Sequence, residues 1–335
     1  MFDAVLVVSF GGPQGLDDIR PFLANVLRGR RVSPERVEEV AHHYELFGGV
    51  SPITAITKQQ AAGLEARLRS AGEPLPVYVG MRNWHPFLVD TLREMHAAGV
   101  RRTVGFIAAA QHSYSSCQQY RENVAAARAE LRAQGADVDI TFVGSWFDHP
   151  GFVEANAAHV RDARARLDPS LQDAARLVCT AHSIPVPMAA RSRYEAQLRE
   201  SARLVAEASD IRDWELVYQS RSGRPEDPWL GPDVGEYLRR ARAEGLQAAV
   251  LCPIGFVCDH VEVLYDLDQE AAAICREIGL PMVRAAAVND DPRFLDMMAD
   301  VVLRTIRRHE TGRPLALAAA GGPEGPPLRP GTARP

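Results

Sequence analysis

Eight short apolar runs recur along the chain, and longer segments with apolar residues at helical spacing separate most of them. Near-continuous apolar runs are typical of parallel strands buried on both faces, with helices covering the sheet. The pattern predicts an α/β protein of two doubly wound, Rossmann-like lobes, each with a four-stranded parallel sheet, that face each other across a cleft. The predicted strands cover 3–9, 76–80, 103–109, 138–143, 175–181, 214–219, 247–252 and 281–285.

The four-and-four division of the strands predicts where the lobes separate. A helical stretch near 151–166 precedes the expected boundary, so we expect an N-terminal lobe over 1–168 and a C-terminal lobe over 169–310. The remaining segment, 311–335, is rich in Gly, Pro and Ala and shows no periodicity. Such a composition buries too little apolar surface to fold, and we expect this tail to be disordered.

Composition narrows the classes of partner and compartment. The formal net charge of -5 does not suggest nucleic acid as a partner. No apolar run approaches the roughly 18 residues of a membrane span, and the run at 3–9 lacks the basic flank of a signal peptide. The five cysteines are widely spaced, without a C-x-x-C pair, which fits a reducing compartment. We therefore expect a cytoplasmic protein.

Ligands of open α/β sheets bind beyond the carboxyl ends of the strands. His182 follows the fifth predicted strand at such an end, and Pro185 follows shortly after it. Neutral imidazole is a good ligand for Fe(II) and a base near neutral pH. From position alone, a structural His bonded to backbone remains an equal alternative.

An acidic segment follows the seventh predicted strand, at 259–270. At about 100° per residue, a helix here places Asp259, Glu262, Asp266 and Glu270 on one face. One interpretation is an ordinary solvated acidic face. The other is a carboxylate path that passes a hydrated divalent cation inward, with Glu262 nearest the site.

The glycine-rich segments at 11–13 and 48–52 do not match G-x-G-x-x-G, so a dinucleotide site is not indicated. Arg28, Arg30 and Arg31 could bind carboxylates, because a guanidinium group pairs with them bidentately. A solvated turn explains the same run.

Taken together, these features resemble the ferrochelatase family. The similar segments occur in family order and span nearly everything from Asp3 to about Arg308. The resemblance is closest to the actinobacterial-type coproporphyrin III ferrochelatases, especially through SYSSCQQYREN. The segments are SFGGP (9–13), YELFGGVSPI (44–53), VGMRNWHPF (79–87), SYSSCQQYREN (113–123), TAHSIP (180–185), YQSRSG (218–223) and CPIGFVCDHVEVLYDLD (252–268).

The resemblance implies a metal chelatase and assigns its site. His182 and Glu262 match the family's catalytic metal-site pair. Some relatives carry an iron-ligating Tyr where this chain has Phe10, so the product iron is expected to lack that bond. The residues that match porphyrin-contacting positions or regions are Ser51, Tyr120, Tyr44, Arg28, Arg30 and Phe10.

The expected reaction is insertion of Fe(II) into coproporphyrin III, giving coprohaem in haem biosynthesis. This porphyrin carries four propionates, which suit the arginines at 28–31, and the chain shows no apolar membrane-docking segment. A protoporphyrin IX ferrochelatase, a chelatase for another tetrapyrrole and a non-catalytic haem carrier remain alternatives. We expect transient contact with an upstream porphyrin oxidase and a downstream coprohaem decarboxylase, without nucleic acid or a membrane span.

Many actinobacterial-type relatives hold a [2Fe-2S] cluster with one Cys in the SYSSC-type segment and three near the C-terminus. Cys117 matches the first, but 314–335 contains no cysteine. Such a centre needs four ligands, usually thiolates. The other cysteines fall in or beside predicted core elements, so we expect no cluster and no required cofactor, with Fe(II) as a substrate. They are Cys179, Cys252, Cys258 and Cys275.

Overall fold

The computed structural model describes residues 1–29, 32–222 and 226–311. Every predicted strand is present, with ends that differ from the expected ones by at most two residues. The strands are β1 (Ala4–Ser9), β2 (Val77–Met81), β3 (Arg102–Ile107), β4 (Asp139–Phe142), β5 (Ala175–His182), β6 (Trp214–Gln219), β7 (Ala248–Cys252) and β8 (Met282–Arg284).

Helices connect most consecutive strands. Several begin with a side-chain cap, as at Asp233, which accepts hydrogen bonds from two backbone N–H groups of the first turn. The helices are α1 (Ile19–Val26), α2 (Pro34–Glu45), α3 (Ile53–Ser70), α4 (Leu88–Ala97), α5 (Gln119–Ala133), α6 (Pro150–Arg164), α7 (Pro169–Gln172), α8 (Val186–Ala189), α9 (Tyr194–Ala208), α10 (Val234–Ala243), α11 (Val261–Val263), α12 (Ala272–Glu277) and α13 (Pro292–Glu310). Short 3-10 (Leu16–Asp18) and π-helical (Tyr114–Gln118, Leu264–Ala271) segments adjoin α1, α5 and α11.

Both sheets are parallel and share one topology, which confirms the predicted fold class. The strand orders are β2-β1-β3-β4 and β6-β5-β7-β8. In each sheet the chain first moves to one side and then returns past its starting strand to the other. The direction therefore reverses between β1 and β3, and again between β5 and β7. Ligand crevices of doubly wound sheets form outside the carboxyl ends of the strands at this reversal.

The two lobes share a continuous apolar core rather than meeting through a thin linker. Phe106 of β3 and Leu177 of β5 belong to the same buried cluster. Trp146 stacks on Phe106, with ring centroids 5.3 Å apart, and also contacts Phe294 of α13. Helix α13 packs against α3 and β3 of the first lobe and against α6. A shared buried core therefore joins the two lobes that border the cleft.

The expected division at residue 168 stays a prediction. Helix α6 lies before that point in the chain, yet it packs against β7 and β8 of the second sheet. Arg30, Arg31 and the expected tail from 312 onward lie outside the described residues. Within the described ranges, no helix is both long enough and apolar enough to cross a membrane.

Candidate active site between the two lobes

His182 is the last residue of β5, and its ring has a defined tautomer. Its Nδ1 lies 2.5 Å from the carbonyl oxygen of Ser183, which can only accept, so Nδ1 carries the proton. In the neutral form of the ring, the lone pair is then on Nε2. The hydroxyl of Tyr194 donates to the His182 carbonyl at 3.0 Å and holds the backbone. A hydrogen bond from His182 to the backbone was the structural alternative to a catalytic role. The bond is present, and it directs Nε2 to act as a base or ligand.

Glu262 lies opposite that nitrogen. Its Oε2 is 3.9 Å from His182 Nε2, and the two side chains remain 39% and 37% exposed to the cleft. They meet because β5 and β7 are neighbours at the chain reversal, so the segments after both strands reach the same crevice. Bonds from divalent metals to imidazole and carboxylate are about 2.0–2.2 Å long. One small cation can therefore contact both groups.

An arginine between two aromatic rings lies at the carboxyl ends of the first sheet. The guanidinium carbon of Arg82 is 5.6 Å from the ring centre of Phe10 and 5.3 Å from that of Tyr120. Tyr120 is buried, and burial raises the pKa of its phenol, which stays neutral. Arg82 lies in one of the segments similar to the ferrochelatases, VGMRNWHPF, but it was not predicted as a site residue. Its place directly after a buried strand end was the available signal.

Ser51 and Tyr44 are buried beneath the surface of the first lobe. Ser51 is buried, and its N–H donates to the Pro13 carbonyl at 2.9 Å. A Cβ at Gly12 would lie 2.6 Å from the Ser51 Cβ, so the two loops touch there. The ring of Tyr44 packs on Phe22, with centroids 5.5 Å apart, and burial raises its pKa. The structure does not bring Tyr44 to the cleft surface.

Arg28 is exposed, just after the end of α1. Its Nη2 donates to Asn25 Oδ1 at 2.7 Å, and Asn25 Nδ2 donates to the Asn83 carbonyl at 3.2 Å. These bonds connect the end of α1 to the loop after β2. The roles expected of Arg28 and of Ser51 and Tyr44 toward a porphyrin stay predictions.

The acidic segment differs from a regular α-helix. It runs continuously from 261 to 277, but residues Leu264–Ala271 are π-helical. Burial, and then the charge of Glu262, raises the pKa of Asp266 to about 7, although Gln219 and the Ser220 hydroxyl donate to its Oδ2. Burial also raises the pKa of Glu270. The charges of Glu262 and Glu270 both contribute to the raised pKa of Asp266. The role of these carboxylates as a path for a cation stays a prediction.

Asp259 departs from the expected arrangement. It precedes the first helical residue, so it does not share a helical face with Glu262. Its Oδ1 accepts from Arg284 at 2.8 Å, and its Oδ2 accepts from Asn289 at 2.8 Å. The side chain is only 15% exposed. Both carboxylate oxygens are thus engaged within the second lobe. Neither Gln219 nor Arg284 was identified from the sequence, because their partners lie far away in the chain.

The first lobe also covers the helix that carries Glu262. His43 of α2 stacks on Tyr265, with ring centroids 3.5 Å apart and planes at 15°. Val261 is buried in a cluster with Ile19 and Phe22. Helices α1 and α2 therefore contact the segment next to the site.

All five cysteines are free thiols. Cys117 lies in the π-helical segment before α5, with its Sγ 3.8 Å from the Ser113 carbonyl, and burial raises its pKa. Cys179 and Cys252 are buried neighbours on β5 and β7.

Known proteins share both the sequence and the fold. The family model described as "Ferrochelatase" matches residues 2–306. The chain is 49% identical to a ferrochelatase of Rhodopirellula baltica over 90% of its own length and 85% of the relative's. It is 45% identical to the coproporphyrin III ferrochelatase of Streptomyces griseus (96% and 89% covered) and 47% identical to that of Mycolicibacterium smegmatis (90% and 89%).

A solved structure of SirB from Bacillus subtilis with Fe3+ superposes with a TM-score of 0.58, at 11% identity, over 93% of this chain and 98% of SirB. That likeness concerns the fold alone. The sequence matches extend through both lobes and include the segments that carry His182 and Glu262. The resemblance drawn from the motifs is confirmed: this chain belongs to the ferrochelatase family of metal chelatases.

Proposed function

We propose that this enzyme inserts Fe(II) into coproporphyrin III to give coprohaem. The observation that carries the proposal is the pair of His182 Nε2 and Glu262 Oε2, 3.9 Å apart and open to the cleft. Relatives named coproporphyrin III ferrochelatase, at 43–47% identity over most of the chain, support this choice of porphyrin.

His182 and Glu262 have complementary roles in this proposal. Metallation replaces two pyrrole protons with the metal, so the site must accept protons and release water from the ion. The Nε2 lone pair of His182 takes one pyrrole proton. The carboxylate of Glu262 binds the hydrated ion, helps to remove its water and accepts the second proton. Asp266 and Glu270 continue the acidic surface along which the ion approaches.

The ring must be held in a distorted form, because a planar macrocycle keeps its nitrogen lone pairs in the plane. Binding energy elsewhere on the ligand can supply that strain. In this proposal the porphyrin ring packs against Phe10 and Arg82 on the opposite lobe, and the buried ring of Tyr120 supports the Arg82 guanidinium from within. Phe10 has no ligating atom, so we propose that the product iron forms no bond to this position.

The propionates need cationic partners at the rim of the cleft. Arg28 is exposed and its guanidinium is bonded to Asn25, and in this proposal it pairs with a propionate. Four propionates can use more such contacts than two, which favours coproporphyrin III over protoporphyrin IX. Cytoplasmic location, and transient contact with an upstream porphyrin oxidase and a downstream coprohaem decarboxylase, belong to the same proposal.

The substrate is tested by anaerobic Fe(II) insertion into each porphyrin, followed by the absorbance of the product. We expect kcat/KM for coproporphyrin III to exceed that for protoporphyrin IX by about 10-fold or more, as one or two lost charge contacts imply. A higher kcat/KM with protoporphyrin IX would identify the alternative substrate. Porphyrin binding with no metal insertion would favour a carrier.

The site is tested with H182A and E262Q. Each should lower the insertion rate by about 100-fold or more, the usual contribution of a general acid or base. Porphyrin affinity, measured by fluorescence quenching, should change little because the ring contacts remain. The control is E277Q. Glu277 lies on the same helical run as Glu262, and its exposed carboxylate pairs with Arg239. Near wild-type insertion by H182A or E262Q would remove that residue from the mechanism.

A further inference from the structure

Arg284, at the end of β8, contacts two carboxylates at once. Its Nε and Nη2 donate to the two oxygens of Asp268 at 2.7 and 2.8 Å, and its Nη1 donates to Asp259 at 2.8 Å. The side chain is 14% exposed. We infer that Arg284 is a positioning residue that holds Glu262 at its working distance from His182. This inference rests on the proposed role of Glu262.

The two carboxylates lie on either side of Glu262 in the chain. Asp259 precedes it and Asp268 follows it, so one guanidinium group joins both ends of the segment that carries the active-site carboxylate. The helix that carries Glu262 begins without a side-chain cap. Its N-cap, His260, makes no side-chain capping bond, and a π-helical stretch follows at once. π-Helical turns are rare and are frequently found at functional sites.

The same contacts reach the other lobe. Asp259 N donates to Asn289 Oδ1 at 2.8 Å, and Asn289 Nδ2 returns a bond to Asp259 Oδ2. Gln60, a buried residue of α3, donates to the Asn289 carbonyl at 2.8 Å and to the Val257 carbonyl at 3.0 Å. The position of the loop before Glu262 is thereby set relative to the first lobe, which supplies Phe10, Arg82 and Tyr120.

The chemistry of the contact explains why an arginine is needed. A guanidinium group presents a planar fork that binds one carboxylate bidentately and still donates to a second. Lysine offers a point charge that cannot reproduce the fork. Without a cation here, the mostly buried carboxylate of Asp259 and the partly exposed carboxylate of Asp268 would repel each other, and the segment between them would shift. A displacement of about 1 Å at a catalytic group can lower a rate about 100-fold.

The test compares R284M and R284K with R239M, which breaks the exposed Arg239–Glu277 pair of the same lobe. For R284M we expect kcat to fall by about 10- to 100-fold while KM for the porphyrin stays within about 3-fold. R284K should be intermediate, and R239M close to wild type. R284M with a wild-type kcat would overturn the inference, and so would a loss that appears only in KM.

A double-variant cycle separates positioning from general damage. If Arg284 acts through Glu262, then R284M/E262Q should insert metal within about 2-fold of E262Q alone in single-turnover reactions. Multiplied losses would overturn the inference. A fully active E262Q would instead remove Glu262 from the proposed mechanism, whereas a wild-type protein that inserts no iron would refute the proposed function. If R284M does not fold, R284K and D268N, which weakens the fork but keeps the pair with Asp259, carry the same test.

Discussion

The groups that surround the carboxyl group of Asp266 could not be predicted from its neighbours in sequence. It lies in the helical run after Glu262, but its hydrogen-bond donors, Gln219 and Ser220, come from the end of β6. Burial is the largest cause of its pKa of about 7. The protonated form is therefore substantially populated in the folded protein near neutral pH.

This raised pKa has a consequence for stability. Between about pH 4 and 7 the folded chain binds a proton at Asp266 that the unfolded chain releases. The contribution of this group to stability is therefore complete below the unfolded pKa and is lost as the pH rises through about 7. An asparagine at this position has no such dependence.

We expect the difference in unfolding free energy between D266N and wild type to change by about 2–4 kcal/mol in favour of D266N as the pH rises from 5 to 8. The magnitude follows from a shift of about three pKa units at Asp266. Urea unfolding at several pH values measures the difference. E277Q serves as the control, because Arg239 lowers the pKa of Glu277 and its effect is confined to more acid solution. A difference between D266N and wild type that does not change with pH would contradict the assigned environment.

At the scale of an element, the loop from β7 to α11 is held against β5. The Gly255 N–H donates to the Thr180 carbonyl at 3.1 Å. A Cβ at Gly255 would lie 2.6 Å from the Ala181 Cβ and 2.8 Å from its Cα. The loop that leads to Glu262 therefore rests on the strand residue next to His182, and only glycine allows this approach.

G255A should lower the free energy of unfolding by about 1–3 kcal/mol, the usual cost of overpacking, and should also reduce kcat. G144A is the matched control, because a Cβ there meets no atom within 4 Å. Thermal unfolding and steady-state insertion rates measure the two effects. If G255A behaves like G144A, the loop does not depend on this contact.

The helical run at 261–277 also shows the limit of periodicity at this scale. The acidic pattern correctly indicated a helix after β7, but it could not show that residues Leu264–Ala271 are π-helical. That geometry depends on the backbone hydrogen bonds that packing permits. The spacing predicted that Asp259 lies on the helix. In the structure Asp259 precedes the first helical residue and forms an ion pair with Arg284.

At the scale of the whole molecule, the cysteines bear on the proposal that no [2Fe-2S] cluster is bound. Cys117 belongs to the first lobe, whereas Cys179 and Cys252 lie in the core strands of the second. A cluster requires four ligands around one centre. Burial also raises the pKa of Cys117, which disfavours the thiolate.

We expect anaerobically purified protein to show no iron–sulfur absorption and no stoichiometric acid-labile sulfide. Sulfide and iron analysis, with visible spectra taken before and after reduction, make the measurement. The variant C117A should have the same spectrum and the same insertion rate as the wild type. About two sulfides per chain, the content of one [2Fe-2S] centre, would refute the proposal.

Much of the fold could be predicted because helices cover both faces of each parallel sheet and bury its strands. Continuous apolar runs therefore mark the strands, and parallel connections direct their carboxyl ends to one edge. The motifs that carry His182 and Glu262 are local in the same way, since they lie at or after strand ends, but the roles of both residues came from the resemblance to the ferrochelatase family and stay predictions. These features depend on residues close together in the chain, and the sequence alone determined them.

Only the tertiary structure decided which side chains meet. It placed Arg82 between Phe10 and Tyr120, and it paired Asp259 with Arg284. Each of these contacts joins elements that are far apart in sequence. A residue's type and spacing report which side of its own element is buried, but not which distant group will lie against it. That choice is made when the helices and sheets of both lobes pack together.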